Sequence, residues 1–229
     1  MAGFGALLLL GASLVIYSTD WLLHDLKVFR LHGVARDIRE GKSVAETELA
    51  NVLSEALVLD RAQELRSSDL DDAALVASLF ADHNARNPVQ APALFATAER
   101  LLRARLALAP ADGNSWLRLA FVHTARFGLD TQARQALRMS WLVTPREFSV
   151  MWPGLRFRMD HWQELTVEEQ FAAADLITGL WHKPPERDTL RHYLAGIPAD
   201  RRKVLLTRIV DPTAANALSA PGEPLHVRD

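Results

Sequence analysis

Residues 113–145 read GNSWLRLAFVHTARFGLDTQARQALRMSWLVTP. Two helical stretches lie in this segment, separated at Phe127-Gly128 and closed at Pro145, whose ring removes a backbone N–H and clashes with the preceding turn. Trp116 and Leu119 give the first stretch an aromatic and an aliphatic position, while Ala133, Leu137 and Ser140 place small and apolar side chains on the second. Helices that cross closely need small residues at the contact, and a large ring fills the space between layers. The predicted unit is therefore a helix pair.

Outward from this segment the same pattern returns. Ala98, Leu102, Arg103 and Pro110 recur as Ala133, Leu137, Arg138 and Pro145, each 35 positions on. Trp116, Leu119 and Phe121 are echoed by Trp152, Leu155 and Phe157 at a spacing of 36. These residues resemble the tetratricopeptide-repeat family, whose unit of about 34 residues places Trp and Leu on its first helix, small residues on its second and Pro after it. The resemblance covers residues 93–165 and departs from the family pattern in several places. The turn holds one extra residue, Ala120 stands for the family's Gly, His123 stands for its Tyr, and Arg105 occupies a position for a small side chain. Two degenerate copies and a third partial one are expected, and the family resemblance implies an array of helical hairpins that presents an extended concave surface to a protein partner. A helical bundle without repeats is the alternative.

The remainder of the chain reads as helices divided by turn signals, without the strict alternation of a strand, so the fold class is all-α. Ser43 and Glu46 match a capping box opening a helix over 44–65, and Ser67-Ser68-Asp69 breaks it. Asp71 and Asp72 are placed to complement the positive end of the next helix. Asn87-Pro88 and Ala91-Pro92 lead into a helix that ends near Leu108. Further breaks are expected at Pro110 to Gly113, Pro153-Gly154, Pro184-Pro185, Gly196 and Pro198. Thr166 and Glu169 form a second capping box for a helix running to Trp181, and a flexible tail is expected over 211–229.

The first 23 residues are nearly all apolar, with no charge before Asp20. Roughly 20 such residues cover the hydrocarbon slab of about 30 Å. Tyr17 and Trp21 fall where amphipathic rings favour the headgroup region. No Lys or Arg precedes the apolar run and the helical pattern continues through His24 to Phe29, which favours a retained anchor over a cleaved signal peptide. The predicted organisation is a transmembrane anchor over 1–23, a juxtamembrane helical region over 24–90, a repeat-like domain over 91–210 and the tail. Lys27, Arg30, Arg36, Arg39 and Lys42 follow the anchor, so the charge rule leans toward a cytoplasmic domain, with the periplasmic side of a bacterial inner membrane still open. The whole layout, with Asn114 to Glu147 and Arg156 to Trp162 as its carrying segments, is similar to membrane-anchored accessory proteins of bacterial envelope polysaccharide synthesis and export. That similarity implies an association with such an assembly rather than a chemistry.

A net charge of -2 and a pI near 6.4 lack the basic excess that nucleic-acid binders use against phosphates. The chain has no cysteine, which excludes thiolate chemistry. It carries no phosphate loop, nucleophile elbow, His-Glu-x-x-His helix or calcium loop, so no catalytic residue, cofactor or metal site is assigned. The enzymatic alternative is a glycan-directed enzyme with Asp160, His161 and Arg158 as its candidates. Arginines concentrate in the repeat-like region, and Arg103, Arg118, Arg134 and Arg138 are the candidate partner-binding residues. By contrast, residues 43–82 are rich in Asp and Glu. Either the acidic helices dock on the basic ones, or the basic face meets an acidic protein, a phosphate lipid or an anionic glycan. The repeat-equivalent Trp116 and Trp152 point to packing rather than sugar stacking. A non-catalytic scaffold is thus expected, serving polysaccharide assembly or, alternatively, protein export or cytochrome maturation.

Overall fold

The computed structural model describes the backbone of residues 2–219 and, within them, the side chains of 17–19 and 21–219. Among the described residues the chain is all-helical, without strands. It divides into two compact units, Met1–Pro110 and Ala111–Asp229.

The first unit holds α1 (Ala2–Arg39), α2 (Glu46–Arg61), α3 (Ser67–His83) and α4 (Ala91–Leu108). Val28, Leu31, Val34 and Ala35 recur at three- and four-residue steps, which gives the second half of α1 one buried stripe against α2 and α3. Alanines 73, 74, 77 and 81 line α3, and their small side chains let α4 approach with Phe95, Ala98, Leu101 and Leu102 buried. Pro92 sits in the first turn of α4, where its missing N–H has no intrahelical acceptor to lose.

Three expectations for this unit need correction. The Ser43 capping box does not form: Ala45 is the N-cap, without a side-chain bond, and Glu46 instead accepts from Asn84 Nδ2 at 3.1 Å. The helix also stops at Arg61, short of Leu65, before Gln63 at φ 58°. Asp71 and Asp72 do not cap α3 either. Asp69, at its third position, takes the Arg66 N–H at 2.7 Å, and Asp71 and Asp72 turn toward α1, where Arg39 reaches both. His24 contacts Asp69 at 2.8 Å, and His32 bridges Asp72 at 2.5 Å and Asp69 at 3.2 Å. Lys27 and Arg30 pair with Glu64 and Glu55. Much of the acidic stretch is therefore matched by cations of α1.

The second unit holds α5 (Gly113–Phe127), α6 (Thr131–Val143), α7 (Phe148–Asp160), α8 (Val167–Trp181), α9 (Arg187–Ala195), α10 (Ala199–Thr207) and α11 (Pro212–Ser219), with short 3-10 turns at Trp162–Glu164 and Pro184–Glu186. α5 pairs with α6 and α7 with α8, and α7 also packs on α5 and α6, while α9 and α10 pack on α8. Asp112 caps α5 by accepting from the Ser115 N–H and hydroxyl, and Gly128 at φ 79° supplies the turn that ends it. Thr166 and Glu169 make the expected reciprocal box at 3.3 and 2.8 Å, and α8 ends at Trp181 as the sequence implies.

Pro153 does not break a helix. It lies inside α7, where Ser149, the residue whose carbonyl loses its usual partner, is exposed, so this helix tolerates a ring that ends α6 at Pro145. The expected tail is also shorter, since Asp211 accepts from the Thr213 N–H and nucleates α11, with Ala214 buried. Residues 220–229 of that tail lie outside the described residues.

Gly113, at the start of α5, is closely approached by Thr144 at the end of α6. A Cβ there would lie 1.8 Å from Thr144 Oγ1 and 2.8 Å from its Cβ. Thr144 cannot swing aside without giving up its 2.9 Å bond to the Ser140 carbonyl. Gly113→Ala, which in an open helix gains up to about 1 kcal/mol, is therefore expected to lose about 1–3 kcal/mol. Urea titration followed by circular dichroism measures the sign. Gly179→Ala is the control, because its Cβ meets the flexible Met151 tip.

Candidate functional site

The residues singled out for repeat packing occupy the interior of their helix pairs. Ala98, Leu102, Leu119, Ala133, Leu137, Ser140 and Trp152 are buried, Trp116 is half-buried, and Pro110 and Pro145 are exposed just beyond α4 and α6. Ser140 donates to the Leu137 carbonyl at 2.9 Å, so a hydroxyl is accommodated in the core without an orphan donor.

His123, which stands where the repeat family has Tyr, is buried on α5 and meets Asp130 at 3.1 Å. Asp130 also caps α6, and the Ala133 N–H, followed by His123 and the Gln132 N–H, holds its carboxyl below the usual range. A carboxyl depressed in the folded state stabilises above its unfolded pKa, about 3.9, and that contribution disappears as pH falls through the lower folded value. Asp130→Asn keeps the cap geometry. It is expected to unfold at lower urea than the parent at neutral pH, with the two midpoints converging below the carboxylate range.

The four partner-binding arginines are divided between the two units. Arg103 belongs to the first unit and clasps Glu99 one turn back, at 2.8 and 3.1 Å. In the second unit, Arg118 is half-buried on α5, and Arg134 on α6 pairs with Glu169 while donating to the Glu164 carbonyl at 2.6 Å. Arg138 is exposed one turn further along α6. Arg134 and Arg138 share a concavity.

That concavity is a cleft of about 730 Å³ between α6 and the start of α8. Leu137, Trp141 and Ala172 supply its apolar lining, Thr131, Gln135 and Thr166 its neutral polar groups, and Glu168 and Glu169 face Arg134 and Arg138 across it. Arg158 of α7 also lines the cleft, although only 4% of the residue is exposed. Its Nη1 donates to the Gly154 carbonyl at 3.1 Å, and its Nε has no hydrogen-bond partner among the described residues. Burial pulls its pKa down to about 10, against the opposing attraction of Glu169.

A second concavity, of about 440 Å³, lies along α5, α7 and α9. Phe121 stacks on Phe157 at 4.8 Å, and Trp152 meets the edge of Tyr193 at 5.6 Å while its indole N–H donates to Glu186 at 2.9 Å. Arg156 lies 5.8 Å over the Trp152 ring, and Asp160 completes one wall. Burial, aided by the negative charge of Asp160, raises the Tyr193 hydroxyl above its usual value.

The three residues named for an enzymatic alternative have different surroundings. Asp160 lines the aromatic groove, Arg158 lines the α6–α8 cleft, and His161 is occupied by Glu164 at 3.0 Å and the Phe157 ring at 4.6 Å. Among the described residues no group of acidic and histidine side chains has metal-ligand geometry. Sequence reasoning missed the burial of Arg158, because nothing in Leu155 to Met159 distinguishes it from exposed Arg156 two residues earlier. The repeat spacing of Phe121 and Phe157 relates two residues of the aromatic groove without indicating the groove itself.

No protein-family model, curated protein or solved structure matches the chain.

Proposed function

We propose that the chain is a membrane-anchored, non-catalytic adaptor whose paired helices hold another component of a membrane assembly. The observation that carries this proposal is α1. Its backbone runs without interruption from the apolar N-terminal segment into the first unit, over 38 residues. From the end of that segment onward α1 leaves apolar side chains uncovered: Leu23 is exposed, and Leu22, Leu26 and Phe29 form a stripe at helical spacing, with Leu26 and Phe29 64% and 74% exposed. Apolar surface of that kind is costly in water and favourable against lipid. Among the described residues no helix is long and apolar enough to cross a membrane, and Met1 together with the side chains of residues 2–16 and Asp20 in the predicted anchor lies outside them.

Partner binding is assigned to the groove along α5, α7 and α9, because repeat-like arrays bind through extended concave surfaces and this groove is a concavity across three helices. Its aromatic floor and exposed Arg156 suit a protein segment with apolar and acidic residues. The arginines named from the sequence serve this less well, since Arg103 and Arg134 are engaged by Glu99 and Glu169. Envelope polysaccharide assembly is the proposed context, on the layout similarity alone.

Fractionation tests the anchor: the chain should remain with membranes after carbonate washing and leave them when residues 2–23 are removed. Recovery of the intact chain from the soluble fraction overturns it. Detergent affinity purification with mass spectrometry tests the partner. Arg156→Glu should lose a membrane component that the parent retains, and equal recovery excludes the groove. Because cysteine is absent, a single cysteine at exposed Val89 would report the side of the membrane.

A further inference from the structure

We propose that the cleft between α6 and α8 binds a small organic anion, its oxyanion held by Arg158 and Arg138 and its apolar body lying against Trp141. This goes beyond the adaptor function and does not depend on it. The cleft's volume falls within the range of small-molecule sites, and an apolar lining with a few convergent polar groups is their usual composition.

Arg158 is the reason to expect an anion. A guanidinium offers five N–H donors, and a buried one without a carboxylate partner is costly because its lost hydration is not replaced. Here one nitrogen serves the Gly154 carbonyl and the Nε is unmatched. The nearest acidic influence, Glu169, is already bonded by Arg134 and by the Thr166 N–H, so it attracts Arg158 only as a neighbouring charge.

The charges around the cleft sort by their partners. Arg134 and Glu169 neutralise each other, which leaves Arg158 and Arg138 facing Glu168. Glu168 is exposed at the rim, and its carboxylate is stabilised by its own backbone N–H and the Thr166 hydroxyl. The first turn of α8 adds the positive end of a helix dipole. The resulting field favours an anion at the Arg158 end. Trp141, Leu137 and Ala172 favour an apolar body beside it over a fully hydrated ion. An aromatic carboxylate or phosphate monoester has this chemistry, and a bidentate guanidinium contact suits either oxyanion.

The test is isothermal titration of the 229-residue chain in detergent with benzoate and with phenyl phosphate, against inorganic phosphate and benzyl alcohol as controls. Saturable one-site binding of at least one aromatic anion is expected with Kd below about 1 mM. Arg138→Ala should weaken it at least about tenfold, as loss of one charge-assisted contact would, and Arg158→Met should abolish it. A purely structural Arg158 predicts the opposite pattern, in which Arg158→Met changes stability while no anion binds the parent. Arg138 is exposed, so its variant keeps the proposal testable if Arg158→Met does not fold. Absence of saturable binding at about 10 mM, equal binding of benzyl alcohol, or unchanged affinity in both variants overturns the proposal. Inorganic phosphate binding as tightly as phenyl phosphate overturns it as well, since no apolar body would then be recognised.

Discussion

Asp69→Ala is expected to lower stability by about 3 kcal/mol, the scale on which several hydrogen bonds to one buried charge are lost. Asp69 is 1% exposed and accepts from the Arg66 N–H and the Ser68 hydroxyl while contacting His24 and His32 of α1. Its removal at once uncaps α3 and takes the carboxylate from His24 at the α1–α3 seam, while His32 keeps Asp72. A hydrophobic replacement does not restore the loss, because His24 then lies beside an apolar wall. Asp71→Ala is the informative contrast. Arg39 retains Asp72 when Asp71 is absent, so the cost should stay below about 1 kcal/mol, as for a partly exposed pair. Urea unfolding of the two variants at neutral pH separates these outcomes, and equal shifts would show that the seam is not organised around Asp69.

The second large effect is expected at Trp152, where truncation to alanine should cost about 3–5 kcal/mol. This side chain is buried, meets Tyr193 edge-on and anchors Glu186 through its indole N–H. It therefore couples α7 both to α9 and to the turn preceding it. Trp152→Phe retains an aromatic ring but leaves the Glu186 carboxylate without that donor, and Glu186 can recover water because it is only half-buried. Its cost should be about 1 kcal/mol, the net value of one hydrogen bond. A phenylalanine variant as unstable as the alanine one would mean that the bond to Glu186, not ring packing, holds α9.

These two positions also show which parts of the molecule could be read from the chain. The span of α4, the Thr166–Glu169 box and the end of α8 at Trp181 were legible, since each depends on residues within one turn of one another. The same local rule failed at Ser43 and Glu46, where Asn84, distant in sequence, takes the glutamate. Pro153 misled for a related reason: a proline's effect depends on whether the carbonyl it abandons can be hydrated, and exposure is a tertiary property. Asp71 and Asp72 looked like helix-dipole partners until Arg39, more than 30 residues earlier, supplied a stronger one. For the candidate sites, spacing paired Phe121 with Phe157 as equivalent positions without indicating a groove. The buried Arg158 was invisible because periodicity assigns a face but not the depth at which a long cation is enclosed.

The continuity of α1 sets an angular phase as well as a linkage. An α-helix turns about 100° and rises about 1.5 Å per residue. In the membrane-anchored proposal, the Ser18–Leu23 segment fixes the azimuth at which the first unit faces its neighbours, along with its height above the lipid. One inserted residue there would swivel that unit by about a quarter turn, whereas seven would restore nearly the original heading and lift it about 10 Å. Function that returns with the seventh insertion but not with the first would identify α1 as a rotational key for assembly with membrane-bound partners.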